Sequence, residues 1–274
     1  MNKKKVILIT GASSGMGKET ALQLAKEGHI VYGAARRTEQ MQNLVAAGGH
    51  ALPLDITKEE SIQAAVDKII TEQGYIDVLV NNAGFGLYGA VEDVRIDDAR
   101  YQFEVNLFGL GSLTQKVLPY MRAKRSGTII NISSMGGKMY TPLGAWYHAT
   151  KHALEGWSDC LRLELKQFGI NVVIVEPGAI NTAFGEVLHD SLLKRSKGGA
   201  YETMAKAVAQ TSEKMYANQE GSPASVISNT ISKIVRSSKP KTRYAVGKLA
   251  KPLIWIRTYL GDRIFDKVVM MQLK

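Results

Sequence analysis

The chain has 274 residues and a formal charge of +10, with 45% hydrophobic and 22% charged residues. This composition is typical of a globular protein, so it excludes a chain that is disordered or coiled-coil throughout. The single cysteine excludes an internal disulfide framework and a multi-cysteine metal site, and no metal is expected.

Short apolar runs alternate with helical patterns along the first two thirds of the chain. Strands are predicted over residues 6–10, 29–35, 51–54, 78–80, 128–132 and 171–175. Helices are predicted over residues 18–28, 40–48, 58–73, 97–125 and 145–168, with a kink or a last turn at Pro119. This alternation predicts an α/β protein with one doubly wound parallel sheet and helices on both faces. Residues 183–221 show no strand pattern and are predicted to form a helical substrate lid within a single domain, 1–274.

The first predicted strand runs into a glycine-rich turn. Gly11, Gly15 and Gly17 follow the spacing Gly-x3-Gly-x-Gly, just before a predicted helix. Glycines at such a turn let backbone N–H groups approach a pyrophosphate at a helix N-terminus. The spacing differs from G-x-G-x-x-G, and a strand-to-helix turn often needs glycine for geometry alone. Dinucleotide binding therefore needs support from other residues.

The end of the second strand indicates which cofactor would bind. An acid is typical there in NAD enzymes, whereas this chain has Arg36 and Arg37, and the nearest acid is Glu39. Two guanidinium groups suit a 2′-phosphate, so NADP(H) is the preferred cofactor and NAD(H) the alternative. Two exposed loop arginines remain the alternative interpretation. Asp55, after the third strand, could accept from the adenine amino group or serve as an N-cap-like turn residue.

Tyr147 and Lys151 are four residues apart in a predicted helix, so they share one face. This pair is common by chance, but Ser134 precedes it by thirteen residues, and the glycine turn, Asn-Asn-Ala-Gly at 81–84, Asn106 and Pro-Gly-Ala-Ile-Asn-Thr at 177–182 accompany it. Together these motifs resemble the short-chain dehydrogenase/reductase family over roughly residues 5–190. The layout also resembles the branch that contains 17β-hydroxysteroid and retinol dehydrogenases.

The resemblance implies a Rossmann-like fold and a catalytic set of Asn106, Ser134, Tyr147 and Lys151. Tyr147 would be the proton donor, and the ammonium of Lys151 would favour its ionised form. Ser134 would donate to the substrate oxygen. Asn106 would hold a water that relays protons from Lys151, or would be a buried polar residue at a helix kink.

The resemblance also implies a cofactor site. Ser14 stands where many NADP-using members have a basic residue, so the cofactor preference depends on the two arginines alone. The residues implied in cofactor binding are Gly11, Ser13, Ser14, Gly15, Met16, Gly17, Arg36, Arg37, Asp55, Ile56, Asn82, Ala83, Gly84, Tyr147, Lys151, Pro177, Gly178, Ile180 and Thr182.

The predicted substrate residues are apolar or aromatic. They are Phe85, Met139, Leu143 and Trp146, with Phe184 and Leu188 from the lid. This set predicts a secondary alcohol, ketone or aldehyde on a bulky apolar or amphipathic molecule, such as a steroid, a retinoid or a lipid-derived carbonyl. Several of these residues could instead pack the core or a subunit contact. Lys194, Arg195 and Lys197 in the lid would favour a substrate with an acidic group.

The C-terminal extension, residues 233–274, is strongly basic. It contains eleven Lys or Arg residues and two Asp residues. This charge allows weak contact with a membrane surface, and no nucleic-acid-binding signature accompanies it. An alternative function is therefore a membrane- or partner-docking protein whose turnover is secondary.

The helix predicted over residues 145–168 has apolar residues on more than one face, among them Trp146, Leu154, Trp157, Leu161 and Leu165. Apolar surface beyond what one core needs favours self-association, so a homodimer or homotetramer is expected. Because no apolar segment is long enough for a membrane span or a signal peptide, the expected location is the cytoplasm.

Overall fold

The computed structural model describes residues 4–182, 191–216 and 220–273. Within these residues, seven parallel strands form one sheet in the order β3-β2-β1-β4-β5-β6-β7. The strands are β1 (Val6–Thr10), β2 (Ile30–Ala35), β3 (His50–Pro53), β4 (Val78–Asn81), β5 (Gly127–Ile132), β6 (Ile170–Pro177) and β7 (Arg243–Val246). The predicted doubly wound parallel sheet is confirmed.

Helices cover both faces of this sheet. They are α1 (Gly15–Lys26), α2 (Gln42–Ala46), α3 (Glu59–Gln73), α4 (Ile96–Phe103), α5 (Gly109–Lys124), α6 (Ala145–Leu165), α7 (Glu202–Tyr216), α8 (Ser225–Arg236), α9 (Ala250–Tyr259) and α10 (Asp262–Met271). Helices α1, α2 and α8 pack on one face, and α3, α5 and α6 pack on the other.

The near-continuous apolar strands follow from this two-sided covering. In β1, Ile7 and Ile9 pack with α1 and α8, whereas Val6 and Leu8 pack with α3 and α5. All four side chains are fully buried. Burying such a side chain contributes about 1.5–3 kcal/mol, so a polar residue at either set of positions would weaken one of the two cores.

The long helix predicted over residues 97–125 is irregular at a different place from the one expected. Pro119 lies inside α5, and the irregularity is a π-helical segment, Glu104–Phe108, that joins α4 to α5. Gly109 follows this segment, and a Cβ there would lie 2.1 Å from the Ile56 carbonyl oxygen. The helix can pass the end of β3 this closely only because residue 109 has no side chain.

The C-terminal extension contributes to the sheet as well as to the surface. Arg243–Val246, which the sequence did not predict as a strand, pairs in parallel with β6 as β7. The helices α9 and α10 pack on Met139 through Leu253, Phe265 and Val269. Among the described residues, no helix is long and apolar enough to cross a membrane.

Candidate active site

The predicted cofactor residues lie in connections that leave the sheet at one edge. Because the strands are parallel, the turns after β1, β2, β3, β4 and β6 all emerge at their carboxyl ends. These turns carry Gly11–Gly17, the arginine pair, Asp55–Ile56, Asn82–Gly84 and Gly178–Thr182. The fold therefore brings these five segments to one side of the molecule.

The glycine turn fits a bound dinucleotide. Gly11 and Gly15 have φ angles of +68° and +53°, which side chains disfavour. A Cβ on Gly17 would lie 2.4 Å from both the Gly11 carbonyl oxygen and the Asn82 side-chain nitrogen. Ser14 is the N-cap of α1, and its side chain makes no capping hydrogen bond. The first N–H groups of α1 thus remain available to phosphate oxygens.

Thr10 and Asn82 join the glycine turn to the loop after β4. The Asn82 amide donates to the Thr10 carbonyl oxygen at 2.9 Å. The Thr10 hydroxyl accepts from the backbone N–H groups of Asn82 and Ala83 at 3.0 and 2.9 Å. The Asn82 side chain therefore holds the turn in place by bonding the protein backbone.

Arg36 and Arg37 are exposed at the end of β2. Arg36 donates weakly to the Tyr101 hydroxyl at 3.4 Å, and within the described part of the chain neither arginine forms an ion pair. Asp55 takes the predicted turn role, because its Oδ1 accepts from the backbone and hydroxyl of Thr57. Its pKa lies below the usual value: burial raises it, but the Thr57 hydrogen bonds, Arg36 and Lys58 outweigh burial.

The catalytic pair predicted from sequence lies on α6 against the end of β5. The Lys151 ammonium is buried and donates to the Ile132 carbonyl oxygen at 2.8 Å. Burial lowers the pKa of Lys151 to about 8, although Glu155 acts in the opposite direction. Ser134 Oγ accepts from the Gly136 N–H at 3.0 Å, which leaves its hydroxyl hydrogen available to another acceptor. Ser134 and Tyr147 line the same cavity.

Asn106 lies in the π-helical segment with its side chain committed to protein partners. Its Oδ1 accepts from the Phe85 N–H at 3.1 Å, and its Nδ2 donates to the Phe85 carbonyl and to the Thr150 hydroxyl. These bonds join the loop after β4 to α6. Both Nδ2 hydrogens of Asn106 are thus bound to protein, and the water relay at this residue stays a prediction.

A buried polar network behind the site was missed by the sequence interpretation. Asn81 donates to Asn131 at 2.9 Å and to Thr114 at 3.1 Å, and Asn131 donates to Ser158 at 2.9 Å. The network joins β4 and β5 to α5 and α6. Two asparagines near the ends of adjacent buried strands, Asn81 as the last residue of β4 and Asn131 one residue before the end of β5, are the signal that could have identified it.

His148 joins the loop that carries Ser134 to α6. Its Nε2 accepts from the Thr141 N–H at 3.0 Å, so its Nδ1 carries the proton and donates to the Gly136 carbonyl oxygen at 2.9 Å. Burial lowers the pKa of His148 to about 4, against the opposing effect of the Gly136 bond. The neutral ring fixes the loop next to Tyr147.

The cavity next to Tyr147 has one wall from the cofactor side and another from elements late in the chain. Met16, Gly178, Ile180 and Thr182 line the first wall. Val208, Thr211 and Ser212 of α7 contribute to the second wall, together with Leu249, Leu253, Val269, Gln272 and Leu273 from the C-terminal extension. The sequence interpretation did not assign these extension residues to the substrate site.

The predicted substrate residues have different positions in the structure. Met139 lines the cavity, whereas Leu143 packs beside it against Tyr88 and Tyr147. Phe85 and Trp146 lie in a separate cluster with Leu87, Val94 and Ala99, and they do not line the cavity. Phe184 and Leu188 lie outside the described residues.

The three cations of the predicted lid, Lys194, Arg195 and Lys197, do not line the cavity either. Arg195 donates to the carbonyl oxygens of Tyr88 and Ser191 and lies 3.8 Å from Asp98. Lys194 and Lys197 are exposed. A substrate carboxylate inside the cavity would therefore meet none of the three cations.

A partly buried charge cluster joins α6 to the last two strands. Arg243 of β7 pairs with Glu155 at 3.1 Å and with Asp159 at 2.5 Å, and its Nε lies 3.6 Å from Glu176. Lys138 also pairs with Glu155. Burial raises the pKa of Glu176 to about 7, and Glu155 raises it further, against Lys138 and Arg243.

Comparison with known proteins agrees with this geometry. The family model described as short chain dehydrogenase matches residues 5–192. A short-chain dehydrogenase structure from Streptomyces avermitilis superimposes with a TM-score of 0.80 at 36% identity, covering 97% of this chain and 98% of that one.

Three curated relatives cover most of the chain. A 3-ketodihydrosphingosine reductase of Bacteroides thetaiotaomicron is 41% identical over 91% of this chain and 90% of its own. An NADPH-dependent 3-dehydrocapnine reductase of Ornithobacterium rhinotracheale is 33% identical, with 97% and 96% covered. Human retinol dehydrogenase 8 is 34% identical, with 93% and 85% covered.

The raised pKa of Glu176 predicts a pH-dependent stability. A carboxyl group that binds its proton more tightly in the folded state stabilises the fold below its unfolded pKa of 4.5. That contribution is lost as the pH rises through about 7. Between these limits, the free energy of unfolding of the wild type should fall by about 3 kcal/mol more than that of Glu176→Gln.

Denaturant unfolding at several pH values measures this difference. The exposed substitution Glu164→Gln serves as the control and should retain the wild-type slope. Equal slopes for the wild type and Glu176→Gln would contradict the prediction.

Proposed function

The chain belongs to the short-chain dehydrogenase family, and we propose that it is an NADP(H)-dependent oxidoreductase that interconverts a ketone and a secondary alcohol on a lipid-derived substrate. One observation carries the proposal: Ser134 and Tyr147 line a cavity whose far wall is mostly apolar, with Val208, Leu249, Leu253, Val269 and Leu273 beside the uncharged polar residues Thr211, Ser212 and Gln272. The enzyme class follows from the family. The cofactor preference and the substrate are the proposed parts.

The residues at the cavity fit proton transfer to a substrate oxygen. When bound, the reduced nicotinamide supplies the hydride. Ser134 donates a hydrogen bond to the carbonyl oxygen and stabilises the charge that develops there. Tyr147 transfers its proton to that oxygen, and the buried ammonium of Lys151 stabilises the tyrosinate that is left.

The cofactor preference is supported by the two arginines after β2. Both are exposed and neither has an ion-pair partner in the described part of the chain, so their guanidinium groups can bind a 2′-phosphate without breaking a salt bridge. The relative named as NADPH-dependent supports the same choice. NAD(H) remains the weaker alternative.

The cavity walls support a neutral, apolar substrate at the reacting end. No Asp, Glu, Lys or Arg is among the described residues that line it. Met139, Leu253 and Val269 instead offer flexible and branched apolar surface. Burial of apolar area at about 25 cal/mol per Å² favours a long or bulky molecule over a small sugar.

The relatives favour a lipid-derived ketone among the substrates considered. Two of the three are named as reductases of 3-ketodihydrosphingosine and of 3-dehydrocapnine, and the third as a retinol dehydrogenase. All three names describe enzymes. They favour catalysis over the alternative of a docking protein with secondary turnover.

The oligomeric state and location are also proposals. Leu154, Leu161 and Leu165 are buried within the chain, so they do not supply the apolar surface on which self-association was predicted. Phe108 and Leu163 remain exposed near and on α6, and they support a homodimer or homotetramer through this side. The single cysteine is compatible with the cytoplasm.

Replacing the proposed proton donor should abolish most turnover. Tyr147→Phe removes the hydroxyl, so kcat for ketone reduction should fall by at least ~100-fold while NADPH still binds. Tyr88→Phe is the matched control, since Tyr88 lines the same cavity and its ring lies 5.9 Å from that of Tyr147. Steady-state rates and cofactor fluorescence measure both effects. Wild-type turnover in Tyr147→Phe would refute the assignment.

Cofactor choice should depend on the arginine pair. Charge-assisted phosphate contacts of about 1.5–3 kcal/mol predict a kcat/KM for NADPH at least roughly tenfold above that for NADH. The double variant Arg36→Asp, Arg37→Ala should lose this ratio, and Arg122→Ala, an exposed arginine elsewhere, should keep it. Equal efficiencies in the wild type would contradict the proposal.

The length of the substrate chain should determine efficiency. Each methylene buried in the cavity contributes about 0.8 kcal/mol, so kcat/KM should rise about fourfold per CH₂ until the cavity is filled. A homologous series of 3-keto lipids, with a steroid ketone, retinal and a ketose as comparators, measures this with NADPH. A flat series, or the highest efficiency for the ketose, would overturn the lipid assignment.

A further inference from the structure

The two C-terminal helices expose a stripe of aromatic, aliphatic and basic side chains. On α9, Lys251, Trp255 and Tyr259 follow one another at four-residue intervals, and the two rings are 54% and 71% exposed. On α10, Ile264, Lys267 and Met271 form a similar exposed stripe. We call these six residues, together with the exposed Arg263 of α10, the C-terminal face.

The C-terminal face points away from the domain. The opposite sides of both helices are buried, since Leu253, Phe265 and Val269 pack together on Met139. Large apolar side chains that the domain core does not use are therefore left in contact with solvent. Trp and Tyr have an apolar ring and a polar atom, which suits the boundary between water and lipid.

The charges around this face are unbalanced. Asp262 pairs with Arg257 at 2.7 Å, and Asp266 accepts from the Tyr140 hydroxyl at 2.8 Å. Lys251, Arg263 and Lys267 form no ion pair in the described residues. Arg257 balances the charge of Asp262, whereas the Tyr140 hydroxyl is neutral and leaves Asp266 charged. Lys251, Arg263 and Lys267 together with Asp266 therefore leave an excess of two positive charges to meet an anionic surface.

The same helices form one wall of the cavity. Leu253 and Val269 line it from the inner side of α9 and α10, and Gln272 and Leu273 follow directly after α10. An apolar substrate that leaves a lipid layer at the C-terminal face would therefore reach the cavity across one layer of helices.

We propose that the C-terminal face docks the protein on an anionic membrane surface. Aromatic and aliphatic side chains would enter the interfacial region, while Lys251, Arg263 and Lys267 would contact lipid phosphates. The delivery of substrate from that surface rests on the proposed function, whereas the docking itself does not.

The charge argues against a second copy of the chain as the occupant. A two-fold interface pairs the same patch on both subunits. It would bring two sets of three unpaired cations together, which costs free energy. An anionic lipid surface neutralises the same cations.

Vesicle co-sedimentation of the full chain tests the proposal without substrate. The wild type should bind vesicles of phosphatidylcholine with phosphatidylglycerol more tightly than vesicles of phosphatidylcholine alone. The preference should disappear in about 1 M NaCl, where charges more than about 3 Å apart are screened. The triple variant Lys251→Gln, Arg263→Gln, Lys267→Gln should lower the partition onto anionic vesicles roughly a hundredfold, at about fivefold per cation.

The double variant Trp255→Ser, Ile264→Ser tests the apolar contribution to vesicle binding. It should lower partition onto both kinds of vesicle roughly tenfold. Two variants with substitutions at exposed positions elsewhere are the matched controls, and both should bind vesicles like the wild type. They are the double variant Val91→Ser, Ile96→Ser and the triple variant Lys26→Gln, Lys58→Gln, Lys166→Gln. All the substituted side chains are exposed, and circular dichroism confirms the fold of each variant.

Three results would overturn the docking proposal. The wild type could stay in the supernatant with anionic vesicles, or the controls could lose as much binding as the test variants. Alternatively, the variants of the C-terminal face could reduce the mass measured by light scattering without changing vesicle binding, which would assign the face to a second copy.

Reduction of a short, water-soluble ketone, measured without vesicles, separates the two proposals. The variants of the C-terminal face should retain that activity, since none of the substituted residues lines the cavity. Vesicle binding without any ketone reduction would refute only the proposed function. Reduction without vesicle binding would refute only the docking.

Discussion

Parallel pairing of the strands forces their β-to-α connections to leave the sheet at the same edge. Segments that are far apart in sequence therefore become neighbours. They are the glycine turn after β1, the loop after β4, the loop after β5 that carries Ser134, and the segment after β6. The chemistry of the site depends on this convergence. An antiparallel strand in the middle of the sheet would send one of these segments to the opposite edge.

Convergence alone does not orient the candidate catalytic side chains, and buried hydrogen bonds hold the elements that carry them. Asn106 joins Phe85 to Thr150, Asn131 joins Asn81 to Ser158, and His148 joins two loop segments. Leaving any of these buried groups unsatisfied would cost about 1–3 kcal/mol. The sheet, α6 and the loops therefore have few alternative arrangements in which Tyr147, Lys151 and Ser134 would separate.

The C-terminal helices serve the cavity and the surface with opposite faces. Leu253 and Val269 are part of the cavity wall, while Trp255 and Tyr259 are exposed on the other side of the same layer. An amphipathic helix normally buries its one apolar face. These helices also carry apolar residues on a second, exposed face, together with basic residues. One short segment could therefore contact an apolar ligand in the cavity and a lipid surface on the outside of the protein.

The sequence by itself determined the fold class and named the candidate residues of the site. Apolar periodicity is local, so it located six strands and the main helices. The family-like motifs proposed Ser134, Tyr147 and Lys151 as site residues. Only the tertiary structure decided which side chains line the cavity. Trp146 and Phe85 pack in a cluster away from the cavity, and β7 pairs with β6 where Arg243 meets the buried acids Glu155 and Glu176. These outcomes depend on partners about 90 residues away or on competition among apolar neighbours. A local sequence pattern contains no information on such distant partners or on this competition. It shows that a side chain is apolar enough to be buried, but not which residues it will pack against.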